Sequence, residues 1–437
     1  MRSLQQHPDL KIIFDANDHA LAVIQNLMTN ISCLPRLLYI GDVPVESSYH
    51  GSALIYRLLQ NYPMEKLRII EGNLRNSLPE RRLAGVRYSS INIGWPRPLY
   101  TRFSSWAHLV YSFAASRKVN AIEQVLGDFQ PEAILTVAHD YLWLTAARYA
   151  QKHSLPLHLI CHDDWPRLAP VPSAFRNWLE QKFKNVYRQA TARLCVSPYM
   201  AEEYERRYGV KGTVFYPSRA KDAVCFNAPP ERLKTDNKSL TVAFAGTINS
   251  PGYVNALQFL AQCLDKIGGQ LLLFGPLTET DAARSGLNRS NIRLCGMLRS
   301  ADLIAQLRVE ADVLFVPMSF SPNDREYSAL SFPSKLTDYT AVGLPLLIYG
   351  PHYCSAARWA RANPGVAEVV DTENSKHLYE TLRRIGTDPG HRVALGTQAL
   401  AIGQRYFSYE AGKSVFHHAL LRTDSSRSDM PLNLALL

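Results

Sequence analysis

From Arg36 onward the chain alternates short, wholly apolar runs with stretches whose apolar residues recur at helical spacing. LLYIGD is an apolar run closed by Gly-Asp, followed by the polar loop VPVESSYHGS and the helical pattern ALIYRLLQNY. This predicts strand, loop, helix. The same strands recur at LRIIEG, VRYSSINI, AILTVAHD and LPLHLICHDD, and ARLCVSP is followed by the helix MAEEYERRYG with Gly209 as its stop signal. Strands alternating with helices predict a parallel sheet covered on both faces.

Between Tyr216 and Leu240 the chain turns polar (NAPPERLKTDNKS) and offers nothing to sustain a core element. A second series then opens with LTVAFAG and runs through QLLLFGP, NIRLCG, ADVLFVP and PLLIYGP, with helices between them. The expected fold class is α/β, with two Rossmann-like domains facing across a cleft. The expected boundaries are an N-terminal arm at 1–35, an N-terminal Rossmann-like domain at 36–216, a linker at 217–239 and a C-terminal Rossmann-like domain at 240–405. A closing helix at 406–424 returns to the N-terminal domain, and 425–437 reads as a flexible tail.

A length of 437 residues fits two domains. Hydrophobic residues at 46% and charged residues at 20% exclude disordered, collagenous and disulfide-stapled classes. The seven cysteines stand singly without metal-ligand spacing and read as buried thiols of a reducing compartment. No apolar run suffices for a membrane span, and MRSLQQHPDLK lacks a signal-peptide core. The expected location is cytoplasmic. A net charge of +10 is compatible with peripheral association at the inner face of a membrane or with phosphorylated ligands, and no nucleic-acid partner is expected.

Ligands of parallel sheets sit beyond the carboxyl ends of the strands, so chemistry is sought there. Gly246 and Thr247 follow a strand and precede a helix, which lets backbone N–H groups approach a phosphate; a glycine there is also an ordinary turn residue. No GxGxxG is present. In SFPSKLTDYTAVGLPLLIYGP, Pro333 and Ser334 open a helix carrying Lys335 in its first turn and Asp338 three residues on. A lysine there opposes the helix dipole, which a diphosphate partner would explain, and the carboxylate suits a ribose diol; an ordinary surface ion pair is the plainer alternative. His139 and the run His162-Asp163-Asp164 close two N-terminal strands, as sugar or phosphate contacts or as structural histidines. Tyr49, His50 and Gly51 lie in the loop after the first strand, where acceptor or phosphate contact and an ordinary loop are equally open. Adjacent carboxylates such as Asp163 and Asp164 diverge, so no metal is expected. Gly412-Lys413-Ser414 looks like the end of a Walker A motif but has Phe407 at the leading glycine position and no strand before it.

Pro333, Ser334, Lys335, Asp338, Ala341, Gly343 and Pro345 together resemble the donor-binding signature of GT-B-fold, family-4-like glycosyltransferases, and a looser likeness spans roughly residues 36–424. The resemblance implies that Lys335 meets the donor diphosphate, Asp338 the ribose and His162 the transferred sugar. It implies a retaining, metal-free transfer with a UDP- or GDP-sugar as co-substrate and no permanently bound cofactor. The acceptor would be a glycan, lipid-linked or small molecule, in polysaccharide or glycoconjugate biosynthesis. The chain departs from the family pattern in two places. Leu330 stands where the first of two glutamates is usual, with Asp324 and Glu326 as substitutes, and GTINSPGYVNA lacks the usual basic residue. Those departures leave a silent relative acting as a binding protein as one alternative, and a nucleotide-sugar epimerase is the other, because fold likeness alone does not fix function.

Overall fold

The computed structural model describes residues 33–48, 50–235, 239–248 and 250–421. It contains two all-parallel sheets. The first orders its strands β3-β2-β1-β4-β5-β6-β7, from β1 (Leu37–Gly41), β2 (Leu67–Gly72), β3 (Arg87–Ile91), β4 (Ala133–Val137), β5 (Leu157–Cys161), β6 (Ala192–Cys195) and β7 (Thr213–Val214). The second is β10-β9-β8-β11-β12-β13, from β8 (Thr241–Ala245), β9 (Gln270–Phe274), β10 (Ile292–Gly296), β11 (Val313–Pro317), β12 (Leu346–Tyr349) and β13 (Glu368–Val370). Both orders reverse beside the first strand of the domain, which opens a crevice at that point.

β1, β4, β5, β11 and β12 are buried along their whole length, because helices cover both faces. That is why they read as unbroken apolar runs rather than as alternating strands. β10, at a sheet edge, is only partly covered. The helix Arg176–Gln189 mixes aromatic and basic residues, and buries Leu179, Phe183, Val186 and Tyr187 against the core. Gly209 ends the helix Pro198–Tyr208 in the left-handed conformation, at φ +73°. The two-residue β7, the three-residue β13 and the helix Ser104–Ala115 are not evident in the hydrophobic pattern.

The polar segment between the sheets forms no β-strand or α-helix among its described residues, but it is not without core contacts. Arg219 is buried and donates from Nε to the Thr337 carbonyl at 2.9 Å and from a terminal nitrogen to Thr340 Oγ1 at 3.0 Å. Leu233 is buried as well. The last described helix, Tyr409–Leu421, packs Gly412 on Ser218 and sets His417 edge-on to Tyr62 of the N-terminal domain at 6.4 Å. It therefore returns to the first domain, and Gly412-Lys413-Ser414 lies within it rather than in a phosphate loop. The expected arm, apart from its last residues, and the expected tail lie outside the described residues. No described helix is long and apolar enough to cross a membrane.

Candidate functional site

The carboxyl ends of the two sheets face one another across a cleft whose walls touch. Asp163 accepts from Ser331 Oγ at 3.0 Å, Ser197 Oγ donates to the Leu330 carbonyl at 2.7 Å, and Arg167 pairs with Glu326. Arg57 forms a two-pronged pair with Asp338, at 3.2 and 3.1 Å, and also donates to the Ser218 carbonyl.

On the N-terminal side, β4 and β5 bring His139 and His162 together with their rings stacked 5.2 Å apart, and Trp165 lies 4.3 Å from His139. Nε2 of His162 is 3.1 Å from Asp163. Burial would raise the Asp163 carboxyl, but the imidazole of His162 and the Ser331 hydroxyl outweigh it and hold the group below the usual carboxylate range. Burial, then the neighbouring His162, pushes His139 well below its ordinary value, so it stands neutral at pH 7. Asp164 turns the other way, into the core, where Arg207 grips it at 2.8 and 3.0 Å and Tyr204 donates at 3.1 Å.

The two adjacent carboxylates do diverge, as expected. However, His139, His162 and Asp163 each offer a ligand atom within 4.8 Å of the others. The pairing argument against a metal missed this set, because its third member comes from a different strand. Gly51 backs onto His162, since a Cβ there would lie 3.4 Å from the imidazole Cε1. Tyr49 lies outside the described residues, and for His50 only its place at the start of the helix His50–Leu59 is described.

On the C-terminal side, β8 and β9 are followed directly by Gly246 at φ +144° and Gly275 at φ +155°. A Cβ on Gly275 would come within 2.4 Å of the Gly246 carbonyl oxygen, so the two strand ends approach as closely as backbone allows. Lys335 reaches over this edge. Its Nζ lies 4.5 Å from the Phe244 ring centroid and 5.1 Å from that of Tyr253, beside Gly246. Among the described residues no carboxylate lies within ion-pair distance of it. Burial pushes its pKa down to about 7. Ser334 is exposed, while Pro333 and Thr247 are half-buried around the same edge.

Asp338 stands less open to a ribose than the spacing suggests, because Arg57 engages both of its oxygens. Leu330 is buried and contributes its backbone carbonyl to the domain contact. Glu326 is tied to Arg167.

Several residues near the cleft escaped the motif reading. Asp42, directly after β1, is buried and accepts from the backbone N–H groups of Tyr141 and Leu142 at 2.7 and 2.6 Å, at the start of the helix Leu142–Lys152. Its other oxygen has no hydrogen-bond partner among the described residues. Burial, then the Asp140 carboxylate, pushes its pKa up. Asp140, at φ +47°, pairs with Arg75 at 3.6 Å. The terminal Asp of LLYIGD was a legible signal, since it closes a strand as His139 and His162 do. Arg57, Arg75 and Arg167 carried none.

Residues 75–217 match the family model described as Glycosyltransferase Family 4. A search of curated protein sequences found no match. Among solved structures, Anabaena Alr3699/HepE in complex with UDP and glucose superposes with a TM-score of 0.61 at 14% identity, over 88% of this chain and 99% of that one. WaaG, a glycosyltransferase involved in lipopolysaccharide biosynthesis, gives 0.58 at 12% identity, over 89% and 100%. The α,α-trehalose 6-phosphate synthase of Burkholderia multivorans gives 0.61 at 14% identity, over 89% and 96%. Residues 75–217 are thus similar to Glycosyltransferase Family 4, and the chain as a whole has the GT-B fold of these glycosyltransferase structures.

Proposed function

We propose that the protein is a glycosyltransferase that takes its sugar from a UDP-sugar bound at the edge of the second sheet, across from His162. The observation that carries this is Lys335: a cation held without a carboxylate partner among the described residues, beside two strand-end glycines that leave backbone room for a diphosphate. The resemblance of Pro333 to Pro345 to the donor signature supports it, as do the UDP and UDP-glucose complexes of the structural neighbour HepE.

In this reading Lys335, Ser334 and the backbone around Gly246 and Thr247 neutralise the departing diphosphate. Asp338 meets the ribose after Arg57 yields one of its oxygens. His162, oriented by Asp163, holds the sugar as positive charge develops at its anomeric carbon, and the touching walls exclude water. Transfer with retention and without a metal follows from the family resemblance, and the acceptor is a glycan or a lipid-linked or small molecule. A binding protein that holds the donor without turnover is the second reading, favoured by Leu330 in place of a carboxylate and by the engagement of Asp338.

The test is thermal unfolding with a panel of UDP-, GDP-, ADP- and dTDP-sugars, followed by assay of nucleoside diphosphate release. A donor at about 100 times its dissociation constant adds about 2.7 kcal/mol of stability. Stabilisation by UDP-sugars that Lys335→Ala abolishes, together with UDP release, supports the transferase. Stabilisation without release selects the binding protein, and no stabilisation by any donor overturns both.

A further inference from the structure

Six of the fifteen large apolar side chains that stand exposed among the described residues lie in one stretch of the N-terminal domain: Trp95, Tyr100, Phe103, Trp106, Val110 and Phe113. Trp95 and Tyr100 are 76% and 87% exposed. These are not side chains of a loose loop. The Tyr111 hydroxyl donates to the Trp95 carbonyl at 2.7 Å and accepts its N–H at 3.2 Å, which pins the turn to the helix Ser104–Ala115. On that helix Trp106, Val110 and Phe113 stand four and then three residues apart, so they form one outward stripe, while Leu109, Ser112 and Ala115 face the core.

The charge of this segment is of one sign. Between Glu80 and Glu123 the chain carries seven basic residues and no acidic one. Arg97, Arg102 and Arg117 are exposed. None of the three forms an ion pair among the described residues. Arg102 lies over the Phe103 ring at 4.8 Å. Phe113 packs against Trp178 with ring centroids 4.2 Å apart, and both line a pocket of about 400 Å³ together with Arg117, Arg148 and Lys182 among others. Tryptophan and tyrosine flanked by arginine are the residue types that settle at a bilayer interface, rings at headgroup depth and guanidinium groups on the phosphates. A second copy of the chain is a poor occupant, because a symmetric contact would set basic surface against basic surface.

We propose that the Trp95–Phe113 face docks the protein on the surface of an anionic lipid bilayer, with the aromatic stripe in the headgroup layer and Arg97, Arg102 and Arg117 on lipid phosphates. The same helix borders the cleft, since His108 and the Tyr141 hydroxyl share a hydrogen bond of 2.6 Å directly after His139 and Asp140. A docked protein thus presents the first-domain strand ends to a substrate anchored in the membrane. The inference stands on the surface alone and does not depend on which donor is bound, or on turnover.

The test is co-sedimentation of the full chain with vesicles of phosphatidylcholine, with or without phosphatidylglycerol. The wild type is expected to pellet with the anionic vesicles and to stay in solution with the neutral ones. Replacing Arg97 and Arg102 by Gln should weaken binding about 30-fold. The triple variant Tyr100→Ser, Phe103→Ser, Trp106→Ser should lose it, while both variants keep the wild-type unfolding temperature. A wild type that remains in solution with both vesicles overturns the proposal, as does a triple variant that still pellets. So does a wild-type dimer that the triple variant dissolves and that never meets lipid. UDP-sugar binding in the same samples is read separately, so failure at the membrane is distinct from failure of the transferase reading.

Discussion

At the scale of single residues, Lys335 makes the sharpest expectation. Burial lowers its pKa to about 7, so in the unliganded protein the ammonium begins to lose its proton near neutrality. A diphosphate needs the charged form. UDP affinity should therefore fall as pH rises from about 7 to about 9, approaching tenfold per unit, and binding should take up a proton. The unliganded fold gains stability over the same range, because the unfolded lysine keeps the proton that the folded one sheds. Calorimetry in buffers of different ionisation heat reads the proton, and Lys335→Arg should flatten the profile; a wild-type affinity independent of pH would refute the assignment. For His162, held by Asp163 at 3.1 Å, His162→Ala is expected to lower kcat about 100-fold or more with UDP affinity unchanged within about twofold. A parallel loss of UDP binding would instead make the residue structural.

At the scale of elements, the site depends on how strands end. β8 and β9 meet at Gly246 and Gly275, and Gly275→Ala would force a methyl to 2.4 Å from a backbone oxygen at a φ that side chains avoid. Neither the strand nor the oxygen is a flexible side chain that can give way. The substitution should cost about 1–3 kcal/mol in urea unfolding and should weaken UDP binding by moving the edge beside Lys335. An unfolding midpoint equal to wild type would show that the close approach of these strand ends is not needed.

At the scale of the whole molecule, the two domains meet through an apolar cluster that runs from one to the other and through polar contacts around the cleft, the ion pairs Arg57–Asp338, Arg167–Glu326 and Arg358–Glu202 among them. Arg57 and Asp338 are the most sequestered ion pair among them, with side chains 13% and 18% exposed. Arg57→Ala should leave each domain folded but shift the unliganded protein toward an open arrangement, seen as a larger radius of gyration in solution scattering and reversed by UDP. An unchanged radius would mean that the closing helix and the bridging segment around Arg219 hold the domains by themselves. The same variant removes the Arg57 contact from Asp338, so UDP affinity in Arg57→Ala also reports whether that contact competes with the ribose.

How much of this was legible in the chain differs with the kind of residue. Elements buried on both faces announce themselves, because a strand between two helix layers must be apolar throughout; β1, β4, β5, β11 and β12 were readable for that reason, and with them the α/β class and the rule that chemistry sits at strand ends. That rule pointed to His139, His162 and Gly246, and the helix start after Pro333 and Ser334 pointed to Lys335. The partners of the aspartates were not readable, since they come from distant points of the chain: Asp338 finds Arg57, Asp163 finds Ser331, and Asp164, adjacent to Asp163, turns away to Arg207. Two neighbouring aspartates thus take opposite roles, one in the cleft and one in the core. Local pattern determines which backbone forms, because burial acts along a strand or helix; only the packing of the two sheets decides which polar groups meet, because charge and hydrogen-bond geometry act through space.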